Sequence, residues 1–398
     1  MQNGNANDIL EKILEEIDLP DSAYEKAKDR YQSLGQWLQR PESSCADHDP
    51  HVSPSGSFRL GLANRPVDNN DAYDLDMACN LNNGITKASH TQKELKSLVG
   101  NELELYRNAK GISKKLDEKR RCWTLEYGDK LNFHMDILPC IPESATRQVH
   151  LREAMRFVSK LDVNLAGDVA ALAVSITDNT DANYTVLTDE WRISNPEGFA
   201  KWFESRMKIA REFIESRQLI VEASIETLPF YRWKTPLQQA IQILKQHRDI
   251  MFRKNPESKP ISVIITTLAS HAYQGELDVA SALQRILDDM DSYINEVRPL
   301  VPNPVNPAED FADKWYSAEH AKHNLQANFF AWLRQARAHF KNILEAEDLV
   351  RIVESAESGL NVKLNEVEIA GLIGAGIVAA TQPQKVHASS AKPWAKWK

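Results

Sequence analysis

An α+β fold in two lobes is what this 398-residue sequence predicts. Three observations carry that expectation. Apolar residues recur at helical spacing through the first forty positions. The period then changes to two around Tyr73 and again around Phe133, with a helical stretch between. From Asn195 onward helical spacing prevails, so a mixed sheet domain is followed by a mostly helical one. At roughly 150 residues per folding unit the length allows two or three units and a cleft between them. An apolar share of 42% excludes a disordered chain.

Taken in order, Asp8 with Glu11 forms a capping pattern, and Ile9, Leu10, Ile13, Leu14 and Ile17 follow at helical spacing. Leu19-Pro20 breaks that helix, and Ser22 with Glu25 caps a second, which reaches Leu38 and buries Ala27, Tyr31, Leu34 and Leu38. Positions 41–70 are polar and rich in Ser, Pro, Asp, Asn and Gly, and predict loops. Tyr73 to Met77, Cys122 to Tyr127 and Leu131 to Ile137 alternate as half-buried strands do, with a helix over Lys93 to Ala109. Tyr184 to Thr188 is a further candidate strand. Thr235 as N-cap with Pro236 behind it opens a helix to Phe252. Ser262 begins another, and Glu309 to Tyr316, Ala318 to Glu345 and Leu349 to Ser358 read as helical. Positions 382–398 lack periodicity and predict a mobile tail. The implied division is 1–40 for bracing helices, 41–225 for the sheet core, 226–381 for the helical lobe and 382–398 for the tail.

A net charge of −8 does not describe a surface built to coat long nucleic acid. The twelve small and apolar residues from Ile369 to Ala380 fall short of the ~18 needed for a membrane span. The amino terminus has neither the basic nor the apolar part of a signal peptide, so a soluble cytoplasmic protein is expected. Cys45, Cys79, Cys122 and Cys140 form no CxxC pair, and reduced core thiols are the expectation.

The chemistry concentrates in Ser53-Pro54-Ser55-Gly56-Ser57-Phe58-Arg59-Leu60-Gly61, Asp74-Leu75-Asp76 and Asp136. Residues two apart in a strand share a face, so Asp74 and Asp76 point together while Leu75 and Met77 anchor the core. Two carboxylates aimed at one point repel each other unless a divalent cation lies between them. Asp136, on a second strand whose Phe133, Met135 and Ile137 face away from it, can bring a third. Three acids from two strands suit a pair of metal ions and phosphoryl transfer. Gly56 lets the backbone approach a polyphosphate closely, and the Ser57 hydroxyl can hold its terminal phosphates. A lone DxD is more often a solvated face than a metal site. The ordered combination with Gly56-Ser57 and Asp136 reverses that balance.

These residues resemble the nucleotidyltransferase superfamily that includes DNA polymerase β and poly(A) polymerase. The wider sequence is similar to one branch, the bacterial cGAS/DncV-like nucleotidyltransferases (CD-NTases) of CBASS antiphage systems. The resemblance runs through Gly56 to Gly61, Arg65-Pro66, Asp136-Ile137-Leu138-Pro139, Ser194 to Gly198 with Trp202-Phe203, Thr235 to Asp249, Ser262 to Leu268, and Asn303 to Pro307 with Trp315. It implies a polymerase β-like core with a mixed sheet and a helical lobe closing the cleft. It implies an enzyme that joins NTPs, ATP among them, without a template into a cyclic di- or trinucleotide second messenger. Two Mg²⁺ ions, with Mn²⁺ able to substitute, would be held by Asp74, Asp76 and Asp136. Asp136 would also help deprotonate the acceptor ribose hydroxyl. Ser57 would contact the donor triphosphate, and Lys245 and Ser262 stand where the family holds phosphates with a Lys and a Ser. Against those roles, Lys245 reads equally as a surface lysine, and Ser262 reads more readily as a simple N-cap than as a ligand. The sixteen residues between Ser57 and Asp74 exceed the compact polymerase β spacing.

The resemblance further implies an effector reached through the product, and a ubiquitin-transfer-like enzyme conjugating the tail at Lys398, beside Trp394 and Trp397. RNA tailing, or nucleotidyl transfer to a protein or small molecule, is the alternative within the same chemistry. A catalytically silent sensor is disfavoured by retention of all three acids. His134 shares the face of Asp136 and borders the acceptor site. His247-Arg248-Asp249 spells a kinase triplet without a partner Asp-Phe-Gly, and Gly371 to Gly376 has the wrong order for a dinucleotide fingerprint. Base choice, ring size and linkage are not written in these motifs.

Overall fold

The computed structural model describes residues 2–68, 72–128, 133–212, 234–345 and 348–374. The α+β expectation holds: a mixed sheet is backed by helices and faces a helical lobe. At its centre β2 (Tyr73–Leu81) and β5 (Phe133–Pro142) run parallel, with Asp74 beside His134 and Asp76 beside Asp136. β1 (Pro50–Pro54) pairs antiparallel with β2, β4 (Trp123–Glu126) pairs antiparallel with β5, and β3 (Asp117–Glu118) closes that edge. β6 (Val174–Ile176) and β7 (Arg192–Ser194) extend the far end of β5.

The alternation seen in the sequence decides which face is which. Leu75, Met77, Cys79 and Leu81 of β2, with Phe133, Met135 and Ile137 of β5, are buried against α2 (Asp21–Gln39) and α4 (Gln92–Ala109). Each such side chain contributes about 1.5–3 kcal/mol by leaving water. A one-residue slip would turn the three acids into that core, so the same burial fixes where they point. Thr91 and Glu94 form a capping box at the start of α4.

A second core belongs to the helical lobe: α5 (Ala145–Phe157), α6 (Val163–Ala170), α7 (Pro196–Arg206), α8 (Pro236–Met251), α9 (Ser262–Ala272), α10 (Val279–Asp289), α11 (Leu325–Glu345), α12 (Leu349–Leu360) and α13 (Glu366–Leu372). The first helix, α1 (Gln2–Ile17), buries its apolar stripe there, whereas α2 packs on the sheet. The boundary placed at position 225 lies outside the described residues, as do the tail, Trp394, Trp397, Lys398 and Gly376. Cys45, Cys79 and Cys140 are buried, Cys122 is half-buried, and all four are free thiols.

Several local expectations need correction. Asp8 and Ser22 lie inside α1 and α2 rather than capping them, because buried Ala6 extends the first helix and Pro20 takes the cap position of the second. Positions 41–70 are not all loop. β1 is an edge strand bounded by two prolines, and α3 (Gly56–Arg59) follows it. Tyr184 to Thr188 is no strand: backbone turns close at Tyr184 and Val186, and Val186 and Leu187 stay exposed. The expected helix from Glu309 starts instead as β9 (Asn306–Asp310), hairpinned to β8 (Pro302–Asn303). Asn324 takes a left-handed conformation and splits Ala318 to Glu345 into a short 3₁₀ turn and α11.

Candidate active site

Between the open face of the sheet and the helical lobe lies a cavity of about 990 Å³, lined by Gly56, Ser57, Asp74, Asp76, Lys245 and Ser262 among others. Six of the seven sequence-expected positions therefore meet in one space. The seventh, Asp136, stands beside Asp76 on the neighbouring strand.

The acids behave as a mutually repelling group. Burial, then the charges of Asp136 and Asp74, push the Asp76 carboxyl up to about 6, with Lys245 opposing. Asp74 is also raised, by loss of solvent first and by Asp136, while His134 acts against the shift. His134 Nδ1 lies 3.8 Å from Asp74 and its Nε2 lies 3.7 Å from Glu126. Among the described residues no three His, Cys, Asp or Glu side chains are already gathered closely enough to grip an ion. Carboxylates that repel one another across adjacent strands are nonetheless what a hard divalent cation relieves, so the donor set fits Mg²⁺.

Asp136 is held from β4. The buried Thr124 is its register partner and donates its hydroxyl to Asp136 Oδ1 at 2.5 Å. The Cys122 thiol, pushed up to about 12 by burial and then by the Asp136 charge, stays protonated beside it.

The turn before α3 is built around Asp76. Gly56 has φ +59°, and a Cβ there would fall on the Asp76 carboxylate, so only glycine fits. Ser55 donates its backbone N–H to the Asp76 carbonyl at 2.8 Å, which ties the turn to β2. Arg59, two residues after Ser57, reaches α7: it donates to both oxygens of Glu197, at 2.9 and 2.5 Å, and to Glu204 at 2.7 Å. Asn195 caps α7 through the Gly198 N–H at 2.9 Å and donates to the Val169 carbonyl at 2.7 Å.

Along α8 a buried polar stripe grips the chain that leaves the turn. Gln238 donates to the Leu60 carbonyl at 2.8 Å, Gln242 to that of Ala63 at 2.9 Å, and Lys245 to that of Leu62 at 2.6 Å. Lys245 is buried, which removes the surface-lysine reading. Burial, then Arg248, lowers its ammonium to about 7, with Asp249 and Asp76 pulling the other way. Ser262 is not an N-cap: Ile261 occupies that place, and the Ser262 hydroxyl accepts from Arg248 at 2.7 Å. Arg248 also pairs with Asp249, which Lys259 contacts at 3.0 Å.

Comparison with known proteins agrees with this geometry. A family profile described as the nucleotidyltransferase domain of DncV-like cyclic GMP-AMP synthases matches residues 50–139, the stretch holding the turn and all three acids. A c-di-GMP synthase of Roseivirga ehrenbergii is 26% identical over 352 residues, covering 86% of this chain and 80% of its own length. Residues 50–139 thus resemble a DncV-like nucleotidyltransferase domain, and the chain is similar to a cyclic dinucleotide synthase over most of its length. The cyclic dinucleotide synthase CdnG of Bradyrhizobium diazoefficiens is 26% identical over 77% of this chain and 69% of its own. The structure of that organism's CdnG in complex with GTP superposes with TM-score 0.61 at 21% identity, over 93% of this chain and 98% of the other. The chain is thus an enzyme with the fold of that CdnG structure. No described helix is long and apolar enough to cross a membrane.

Sequence reasoning missed Thr124, which carries no motif, and the partners of Arg59, which lie 138 and 145 residues away. Gln238 was findable only as the third residue of a capping box at Thr235.

Proposed function

We propose that the chain is a CD-NTase, which joins nucleoside triphosphates without a template into a cyclic dinucleotide and releases pyrophosphate at each step. The observation that supports this most directly is the Gly56 turn packed against Asp76, with Asp136 in register on the next strand. The activities of the two relatives favour a dinucleotide over a trinucleotide, and that of the c-di-GMP synthase favours a guanine-containing one. Ser57 would take the donor triphosphate, and Lys245, through the N–H groups it does not give to Leu62, and Ser262, through its own hydroxyl hydrogen, would hold its phosphates. Asp136, oriented by Thr124, would accept the proton of the acceptor ribose hydroxyl. That oxygen then bonds the α-phosphorus as the bond to pyrophosphate breaks. Two Mg²⁺ ions, or Mn²⁺, at Asp74, Asp76 and Asp136 would stabilise the attacking and leaving oxygens. Repeating the step within the linear intermediate closes the ring.

The product would serve as an antiphage second messenger read by a separate effector, and the resemblance adds a conjugating partner at the carboxyl terminus. Incubation with labelled NTPs and Mg²⁺ followed by phosphatase tests the reaction. Small phosphatase-resistant products are expected. Extended RNA, or label attached to protein, would transfer the site to the tailing or adenylylating alternative.

A further inference from the structure

The lining of the cavity differs in chemistry from element to element. The turn at Gly56 and Ser57 and the segment from α8 to α9, with Lys245 and Lys259, offer a triphosphate donors and cations beside Asp74, Asp76 and Asp249. The wall formed by α7 and the β8–β9 hairpin is different: it presents Pro196, Phe199, Phe311 and one carboxylate, Glu309. Phe199 and Phe311 stand edge to face with centroids 6.0 Å apart, and make an apolar surface suited to a flat base.

Glu309 is held rather than neutralised. The buried Asn303 donates its amide to Glu309 Oε2 at 2.7 Å, while its own carbonyl oxygen accepts the Val305 N–H at 3.0 Å. Both ends of Asn303 are thereby used, which fixes the direction of its donor. Among the described residues no lysine or arginine pairs with Glu309, and its other oxygen has no protein partner. An oriented carboxylate can only accept hydrogen bonds. On its Watson–Crick edge guanine offers two adjacent donors, N1–H and the 2-amino group. Adenine offers one donor beside a ring-nitrogen acceptor, which a carboxylate repels.

We propose that Glu309, oriented by Asn303, reads guanine at the base end of this cavity and makes the enzyme select GTP over ATP. This rests on the nucleotide-joining reading above and names its substrate class. Asn303 acts as a positioning residue for the carboxylate.

Titration calorimetry on the full chain, with Ca²⁺ in place of Mg²⁺ so that nucleotide binds without turning over, compares GTP, ATP and inosine triphosphate, which lacks the 2-amino group. The wild type should bind GTP about 10- to 100-fold tighter than inosine triphosphate, the worth of one charge-assisted hydrogen bond. Glu309→Gln should bring that ratio to within about threefold with its melting temperature unchanged; Glu309→Ala, read the same way, serves if the Gln variant is unstable. A wild type indifferent to the 2-amino group, or variants that keep the wild-type ratio, would overturn the assignment. Discrimination by a chain that forms no cyclic product would refute the proposed reaction while supporting Glu309. A cyclic product formed without discrimination would do the reverse.

Discussion

Asp76 shows most sharply what the site costs the fold. Its carboxyl sits at about 6, above its ordinary value of 3.8, so the native state holds the proton more tightly than the unfolded chain does. For a raised acid the sign is unfavourable at neutrality: between pH 3.8 and about 6 the unfolded state ionises first, and stability falls as pH rises through that window. A shift of this size corresponds to at most about 3 kcal/mol. Asp76→Asn should therefore raise the melting temperature of the metal-free chain at pH 7 by several degrees, lose that advantage near pH 4, and abolish the response to added Mg²⁺; equal melting curves at pH 7 would contradict the repulsion. Thr124 makes a second prediction at this scale. Thr124→Val keeps the shape and deletes the donor to Asp136, so kcat should fall about tenfold while Thr124→Ser restores most of it; equal loss in both variants would mean a packing effect instead. The acids were legible because a period of two and three apolar neighbours fix a face. Thr124 was not, because its role exists only once β4 lies beside β5.

Among elements, the turn at Gly56 is held by three others: β2 through Asp76, α7 through Arg59, and α8 through its Gln238, Gln242 and Lys245 stripe. Arg59 links the Gly56 turn to α7. Arg59→Ala leaves Glu197 and Glu204 without their shared cation and should cost about 1–3 kcal/mol, discounted for partial exposure. It should also raise KM for NTP and lower kcat; Arg59→Lys, which has no fork, should rescue only part. A melting loss with unchanged kinetics would make Arg59 purely structural. Capped, strongly periodic elements such as α4 and α8 could be read from the sequence because their signals are local. β1, β6, β7 and the β8–β9 hairpin could not, since none of them alternates buried with exposed positions along its length. Tyr184 to Thr188 failed for the opposite reason: its β-branched and aromatic residues suit a strand, but no described strand pairs with them.

For the whole molecule, two hydrophobic cores meet along the cavity, one behind the sheet and one in the helical lobe. The sheet core aims the acids outward, and the helical lobe brings Lys245, Arg248 and Ser262 opposite them. Neither lobe alone supplies both halves of the proposed phosphoryl-transfer site. The most direct test of this arrangement is mass spectrometry of the phosphatase-resistant products formed from all four NTPs with Mg²⁺, comparing the wild type with the Asp74→Asn, Asp76→Asn double variant. The wild type should yield the mass of a cyclic dinucleotide, and the folded double variant should yield none. A double variant that still makes that product, or a folded wild type that makes only linear chains, would contradict the account.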